Sequence, residues 1–322
     1  MHLTRRQLSL AALATLGGNA WAQKGNLTVV VPQPAGGLTD TFARAVAPAL
    51  GRALERNAIV ANIPGASGAL AANKVLSAPT DGSIVLVATS SVTTLNPLTL
   101  APVKYKASDF RLLGLINSSP MALFARKDLP ANSLDELVAL AKKSEKPLVY
   151  GSTGLGTVFH LLTEQLLNMT GMKALHVPYR GGMPMLTDLM GGTIDFTLLT
   201  VDALVGGMVA GGRIKCLGVM SPKRQERFPN AATFLETKSA PQFGHPTIWQ
   251  AVIVPSSMPE TMTQTVHKAT LEALASTEVQ KEVEVAGGKV PPPMNLAELA
   301  SYYQADAVKL QALVKAANLT PQ

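Results

Sequence analysis

The chain has 322 residues, of which 47% are hydrophobic and 15% charged, and this composition excludes an intrinsically disordered protein. At roughly 100 to 200 residues per domain, the length predicts two domains. Cys216 is the only cysteine, which excludes an internal disulfide, a multi-cysteine zinc site and an iron–sulfur cluster. The formal net charge is +7, but the basic residues are scattered, so we expect no nucleic-acid partner.

Residues 1–22 have the pattern of an export signal. Arg5-Arg6 precede an apolar run from Leu8 to Leu16, and Ala20-Trp21-Ala22 supplies the small residues needed for cleavage after Ala22. A membrane anchor needs about 20 apolar residues, roughly twice the length of this run. We therefore expect a mature periplasmic protein, with the general secretory and twin-arginine routes both open.

Short apolar strand patterns alternate with amphipathic helix patterns as far as Pro255. This alternation predicts βαβ units, and hence parallel sheets covered by helices. After Pro255 only helical patterns follow, and such a tail normally packs on a sheet that is already built. The predicted strands are Leu27 to Val31, Ala58 to Ala61, Ile84 to Ala88, Met121 to Ala125, Leu148 to Tyr150, Ala174 to Val177, Ile194 to Leu199, Ile214 to Val219 and Ala251 to Val254. The predicted helices are Thr39 to Arg56, Ser67 to Ser77, Leu134 to Lys143, Thr157 to Thr170, Met183 to Met190, Glu260 to Ala275, Val279 to Ala286 and Leu296 to Ala317.

The first of two glycine turns joins the strand Leu27 to Val31 to the helix that begins at Thr39. Its two glycines allow the backbone to pass close to a ligand. Thr39 or Asp40 is able to cap the helix, which leaves other backbone N–H groups pointing outward at the positive end of the helix dipole. The candidate ligand-binding residues of this turn are Pro34, Ala35, Gly36, Gly37, Thr39 and Asp40.

The second glycine turn follows the strand Leu148 to Tyr150 and opens the helix that begins at Thr157. Its glycines form G-x-x-G-x-G rather than the G-x-G-x-x-G of dinucleotide-binding folds, and neither turn has the lysine of a P-loop. The pattern therefore favours a small anion over a nucleotide. For either turn alone, a tight structural connection remains the alternative. The candidate ligand-binding residues here are Gly151, Ser152, Thr153, Gly154 and Thr157.

Further candidate ligand residues follow other predicted strands. Ser90 and Ser91 come after Ile84 to Ala88, at the carboxyl end where α/β sheets place ligands. Tyr179 and Arg180 offer a phenolic donor and a guanidinium fork for a carboxylate, although a solvated surface charge is an equal alternative for Arg180.

His160 lies one turn into the helix after the second glycine turn. It either lines a ligand cleft or is a packed, hydrogen-bonded histidine. Motifs for catalysis and metal binding such as G-x-S-x-G, H-E-x-x-H and C-x-x-C are missing from the sequence. We therefore expect no catalytic residues, no cofactor and no metal. The alternative is a periplasmic hydrolase of carboxylate esters that uses Ser152 with His160, which a turnover assay would separate from a binding protein.

Taken together, these segments resemble the Bug family, the extracytoplasmic solute receptors of tripartite tricarboxylate transporters. The order and spacing of the matching segments through nearly the whole chain after the signal carry this resemblance. The segments are Pro34 to Asp40, Ile63-Pro64-Gly65-Ala66, Pro79-Thr80-Asp81-Gly82, Leu134-Asp135-Glu136-Leu137, Tyr150-Gly151-Ser152 with Gly156-Thr157 and His160-Leu161, His176 to Gly181, and Gly191 to Asp195.

The resemblance implies an α/β fold like that of periplasmic binding proteins, with two lobes, each a mainly parallel sheet flanked by helices. It implies one lobe of residues 24–120 plus 245–322 and another of residues 121–244, joined by two crossing segments. A small organic carboxylate would be enclosed between the lobes and delivered to membrane transporter subunits or a sensor protein. We expect a monomer.

Two departures from the family pattern concern the ligand. Gln33 stands where the family often has an aromatic residue, which makes the rim of the first turn more polar. Thr200 stands where many members have an acidic residue at a strand end facing the cleft. Thr200 is therefore a further candidate ligand residue, and its replacement of an acid favours a ligand without an ammonium group.

Overall fold

The computed structural model describes residues 25–243 and 247–316. The predicted signal peptide, residues 1–22, lies outside the described residues, as does the predicted lobe boundary between Gly244 and His245. Within them, no helix has the length and apolar character needed to cross a membrane. The strands are β1 Leu27–Val31, β2 Ala58–Asn62, β3 Ile84–Ala88, β4 Phe110–Arg126, β5 Leu148–Ser152, β6 Ala174–Pro178, β7 Phe196–Thr200, β8 Ile214–Met220 and β9 Thr247–Pro255. The helices are α1 Leu38–Ala53, α2 Ala69–Leu76, α3 Asn96–Thr99, α4 Leu134–Lys143, α5 Val158–Thr170, α6 Gly182–Gly191, α7 Ala203–Ala210, α8 Glu260–Ala275, α9 Thr277–Val285 and α10 Leu296–Ala316.

Two sheets share the long strand β4. The first has the order β2-β1-β3-β9-β4, and in the second β4 is followed by β7, β5 and β6, with β8 also paired to β4. Strand β4 pairs with β9 as far as Pro120 and with β7 and β8 from Met121 onward. This change of partners supports the lobe boundary at residues 120 and 121, which remains a prediction.

The α/β class is confirmed, but the sheets are mixed rather than mainly parallel. β1 runs parallel to β2 and β3, whereas β4 and β9 run antiparallel to their neighbours. The sequence pattern showed only Met121 to Ala125 of β4. Its first half pairs with β9 through two register shifts, between Leu112 and Gly114 and between Leu115 and Asn117. Such irregularities break the two-residue alternation by which a strand is recognised.

Helices cover both faces of the first sheet. α1, α8 and α9 pack on one face, where Phe42 and Val266 are fully buried. α2 and the first half of α10 pack on the other face, around Trp249. The second half of α10 reaches the core of the second sheet, where Leu310 is buried. The C-terminal helices thus pack on sheets formed earlier in the chain, and α10 contacts both cores.

Candidate functional site

A cavity of about 540 Å³ lies between the two sheets. It is placed where β1 leads into the first glycine turn and β5 leads into the second, at the carboxyl ends of parallel strands. Thr39 lines it from the first sheet and Thr153 from the second, and apolar side chains such as Phe159 form much of its wall. Its size fits a small organic molecule.

The first glycine turn is held by the carboxylate of Asp40, which is 2% exposed. It accepts hydrogen bonds of 2.9 Å from Gly36 N, Arg44 Nε and Asn62 Nδ2. Burial alone would raise the pKa of Asp40, but these hydrogen bonds and the charge of Arg44 outweigh it and lower the pKa. Asn62 also donates to Gln33 O at 3.0 Å. An ionised carboxylate therefore fixes the shape of this turn from behind.

The first turn presents mainly backbone to the cavity. Gly36 has a φ of +86°, a conformation that favours glycine. Gly37 is the N-cap of α1 and supplies no capping side chain, so the first N–H groups of the helix are left for a ligand or water. The predicted residues of this turn that line the cavity are Pro34, Ala35, Gly37 and Thr39. Gly36 and Asp40 lie behind them.

The second glycine turn is held by hydrogen bonds between uncharged groups. Ser152 is fully buried; its Oγ donates to Gly154 O at 2.9 Å and lies 2.7 Å from His176 Nε2. Thr157 Oγ1 donates to the same carbonyl of Gly154 at 2.8 Å. The predicted residues of this turn that line the cavity are Thr153, Gly154 and Thr157. Gly151 and Ser152 lie behind them, so their role is to shape the turn.

Two stacked imidazoles support the second turn. The ring centroids of His160 and His176 are 4.0 Å apart, and His176 stacks on Tyr150 at 4.8 Å. His160 Nδ1 accepts a 3.1 Å hydrogen bond from Gly156 N, so this nitrogen carries no proton. Burial lowers the pKa of His160, and burial together with repulsion by His160 lowers the pKa of His176 to about 3. His160 is therefore a neutral, packed histidine behind the cavity wall.

The Ser152–His160 pair of the hydrolase alternative is not formed. Ser152 Oγ contacts His176 instead, and its complete burial closes it to a substrate carbonyl. Within residues 25–243 and 247–316, no group of three His, Cys, Asp or Glu side chains is placed to hold a metal ion.

Hydrogen bonds beside the cavity join the two sheets. Their partners are Ser67 Oγ donating to Leu155 O at 3.0 Å, Val158 N donating to Ser91 Oγ at 3.2 Å, and Thr99 Oγ1 donating to Gly156 O at 3.4 Å. Ser91 lines the cavity as predicted, but its hydroxyl also caps α5. Ser67 has a φ of +51°, which is uncommon for a residue other than glycine. The two sheets are therefore in direct contact beside the cavity.

The remaining candidate residues differ in whether they line the cavity and whether their side chains already have a partner in the protein. Tyr179 lines the cavity, but its OH donates to Asp188 Oδ2 at 2.6 Å; burial and this carboxylate raise the pKa of Tyr179 to about 12. Arg180 also lines the cavity, and no residue in the described part of the chain forms an ion pair with it. Thr200 lines the cavity at the end of β7. Ser90 is 2% exposed and lies outside the lining.

Sequence reasoning missed several residues of the cavity wall, and the polar residues Asp202 and Gln250 are two of them. Asp202 caps α7 by accepting a 2.8 Å hydrogen bond from Val205 N, and burial raises the pKa of Asp202 to about 6. Thr200 does leave the strand end uncharged, but Asp202 places a carboxyl group two residues further on. The preference for a ligand without an ammonium group stays a prediction, and it depends on Asp202 as well as on Thr200. Gln250 lines the cavity from the middle of β9, and its one signal was a polar residue within an apolar strand.

The family model of the tripartite tricarboxylate transporter family receptor matches residues 42–319 of the chain. The chain belongs to this receptor family. The receptor is 29% identical over 267 residues to the protein BugT of Bordetella pertussis, covering 82% of this chain and 81% of BugT. The resemblance to the Bug family is thus confirmed.

Two solved structures show the same fold. MatC from Rhodopseudomonas palustris with bound malate matches with a TM-score of 0.83 at 25% identity, covering 90% of the receptor and 99% of MatC. Rpa4515 from R. palustris with adipate matches with a TM-score of 0.84 at 27% identity, covering 93% of the receptor and 99% of Rpa4515. The periplasmic-binding-protein type of fold and the solute-receptor class of function are therefore both confirmed.

Proposed function

We propose that the receptor captures a small organic carboxylate in the cavity between its two sheets and delivers it to membrane transporter subunits. One observation carries this proposal: two glycine turns, each at the start of a helix, open onto a single cavity from different sheets. Backbone N–H groups and the positive ends of helix dipoles favour an anion there. The relatives with malate and with adipate support a carboxylate as that anion.

Under this proposal the predicted site residues have two roles. The residues proposed to contact the ligand or its ordered water are Pro34, Ala35, Gly37, Thr39, Ser91, Thr153, Gly154, Thr157, Tyr179, Arg180 and Thr200. The residues proposed to position them are Gly36, Asp40, Ser90, Gly151, Ser152 and His160. Arg180 is proposed as a charge partner of the carboxylate, because it lines the cavity without an ion-pair partner among the described residues.

Binding is proposed to act by closure. A ligand between the turns touches both sheets only when they are close together, so it stabilises the closed arrangement over an open one. The receptor is proposed to act by binding without catalysis, in the periplasm, after removal of residues 1–22. A sensor protein in place of the transporter subunits is the alternative partner.

A ligand screen of the mature protein tests this function. Thermal shifts are measured with mono-, di- and tricarboxylates, aromatic acids, amino acids and neutral sugars, and the hits are confirmed by calorimetry. A carboxylate at 100 times its Kd is expected to add about 2.7 kcal/mol of stability. A neutral sugar as the tightest ligand would overturn the proposal, and so would turnover of generic carboxylate esters by the pure protein.

A further inference from the structure

A relay of buried amides lies beneath the cavity, where β4 and β9 pair. Gln250 of β9 lines the cavity and is 2% exposed, and Asn117 of β4 is fully buried. The two residues are register partners, and Asn117 Nδ2 donates to Gln250 Oε1 at 3.1 Å. The amide of Gln250 is thus held on one side by the protein and faces the cavity on the other.

A backbone group fixes the direction of this relay. Lys289 N donates to Asn117 Oδ1 at 3.0 Å, and because a backbone N–H only donates, the oxygen of Asn117 must lie on that side. Nδ2 of Asn117 then points to Gln250, and Gln250 must accept this hydrogen bond with its side-chain oxygen, Oε1. The neighbouring hydroxyl of Ser119 donates and accepts, so it imposes no direction.

Because Oε1 of Gln250 faces Asn117, the NH2 group of Gln250 faces the cavity. No residue of the described chain accepts a hydrogen bond from this nitrogen. Thr89 lines the cavity directly after β3, whose last residue Ala88 pairs with Ala251 of β9. A threonine hydroxyl adapts to a donor or an acceptor, whereas the NH2 group of Gln250 only donates. This end of the cavity therefore requires an acceptor oxygen.

We propose that Gln250 donates a hydrogen bond to a second oxygen of the ligand, so that the receptor selects acids that have another acceptor besides the first carboxylate. A second carboxylate fits this site best, since a hydrogen bond to a charged group is stronger than one to a neutral group. Asn117 is a positioning residue that fixes which face of the Gln250 amide meets the ligand. This inference rests on the proposed function and names its ligand class.

Matched acids test the role of Gln250. Calorimetry compares unbranched dicarboxylates of four to eight carbons with monocarboxylates of the same length, using the wild type and Gln250→Leu. We expect the wild type to prefer a dicarboxylate. Gln250→Leu should lower the affinity for that dicarboxylate about 10-fold or more and change monocarboxylate affinity by less than about two-fold. Gln280→Leu, at an exposed glutamine of α9, is the matched control.

The outcomes separate the two proposals. If no acid binds the wild type, the proposed function and this inference both fail. If acids bind but Gln250→Leu leaves the dicarboxylate affinity unchanged, or lowers both affinities equally, only the inference fails.

Asn117→Asp tests the positioning role without touching the ligand. The affinities are measured at pH about 8 to favour the ionised form of the buried carboxyl group. The carboxylate then still accepts from Lys289 N but cannot donate to Gln250. Gln250 should then rotate to donate to it and turn its oxygen to the cavity, so dicarboxylate affinity should fall at least as far as in Gln250→Leu. General structural damage would lower both affinities together, so the ratio of dicarboxylate to monocarboxylate affinity is the readout.

Gln250→Glu is the second variant, because it places the carboxyl group at the cavity wall, whereas Asn117→Asp places it at a fully buried residue and is able to prevent folding. It keeps the volume of Gln250 and at pH about 8 faces the ligand with an acceptor. Dicarboxylate affinity should fall about 100-fold or more. Retained preference for the dicarboxylate in Gln250→Glu would overturn the inference.

Discussion

The two glycine turns reach the same cavity with similar backbones but are held in opposite ways. The first turn is anchored by an ionised carboxylate, Asp40, that binds Gly36, Arg44 and Asn62. The second is anchored by neutral groups, with Ser152 bonded to the Gly154 carbonyl and to a neutral imidazole. One wall of the anion site is thus bonded directly to an ionised carboxylate and the other to neutral groups, with the carboxylate of Glu164 reached only through Tyr150, which stacks on His176.

The difference shows how a receptor can preorganise an anion site without losing its positive potential. Asp40 lies behind the turn, outside the cavity lining, and its charge is offset by Arg44, while the exposed N–H groups face the ligand. On the other side, protonation of His176 would add a charge but would also require an imidazole to ionise in a buried stack. The turns should therefore respond differently to mutation and to pH.

Asp40→Ala should have the largest effect. Three donors lose their acceptor at a carboxyl group that is almost fully buried, so we expect a loss of about 2 to 4 kcal/mol of stability and at least a 10-fold loss of carboxylate affinity. Urea unfolding and calorimetry measure both. In the matched variant Arg44→Ala, the lost side chain is 53% exposed, and the cost should be about 0.2 to 1 kcal/mol. Equal costs for the two variants would contradict the anchoring role of Asp40.

As the pH falls, the protein should lose the stability contributed by the second turn at a higher pH than that contributed by the first. The pKa of His176 is about 3 in the folded protein against an ordinary 6.5, so the unfolded chain binds a proton that the folded chain does not between these values. Stability is therefore lost as the pH falls below 6.5. Asp40 has a pKa lowered from 3.8, so its contribution is lost only as the pH falls below 3.8. Thermal unfolding at pH about 7.5 and about 5 separates the two turns.

The variant His176→Gln isolates this titration. Asp202, whose pKa burial raises to about 6, acts in the opposite direction between pH 6 and 3.8, because there the folded protein binds the proton first. Its contribution is the same in both proteins and cancels in the comparison. We expect the wild type to lose more stability than His176→Gln between pH about 7.5 and about 5. Equal losses would mean that His176 is not held neutral.

Gly36→Ala tests the backbone of the first turn with a smaller expected effect. Gly36 has a φ of +86°, and nothing lies within 4 Å of an added Cβ, so the change introduces backbone strain without a clash. Gly212, outside the cavity lining, has a φ of +64° and the same open space. Each variant should lose about 1 to 2 kcal/mol of stability. Only Gly36→Ala should also weaken carboxylate binding, by about 10-fold, and equal binding by the two variants would remove the first turn from the site.

The sequence was informative where local rules decide the structure. Both turns were predicted from glycines between a strand and a helix, and the bounds of β1 and β3 match the predicted ones. Local rules do not show contacts made by distant segments. Gln250 is oriented by Asn117 and Lys289, which lie far from it along the chain. His176 approaches Ser152 only because β6 pairs with β5.

Asp202 and His160 show the same limit for side-chain roles. The helix that Asp202 caps, α7, has apolar residues on all sides and lacks the periodicity that marks a helix. His160 lies near the second turn in sequence, but its ring points to Gly156 N and His176 instead of the cavity. Whether a polar residue near a turn contacts the ligand or supports the turn depends on side-chain direction, which spacing alone does not provide.

Ser67 should give the smallest effect and tests how the two turns are brought together. Its hydroxyl donates to Leu155 O of the second turn from a segment of the first sheet. Loss of this bond should favour an open arrangement of the two sheets and weaken carboxylate binding about 2- to 10-fold. This effect is expected even though Ser67 Oγ bonds to Leu155 O and not to the ligand. Ser67→Ala keeps the uncommon φ of +51°, whereas Ser67→Gly relieves it. Both variants should bind less tightly, and Ser67→Gly should be the more stable of the two. Small-angle scattering should show a larger radius of gyration than that of the unliganded wild type for both; unchanged scattering and affinity would mean that the turns meet without this bond.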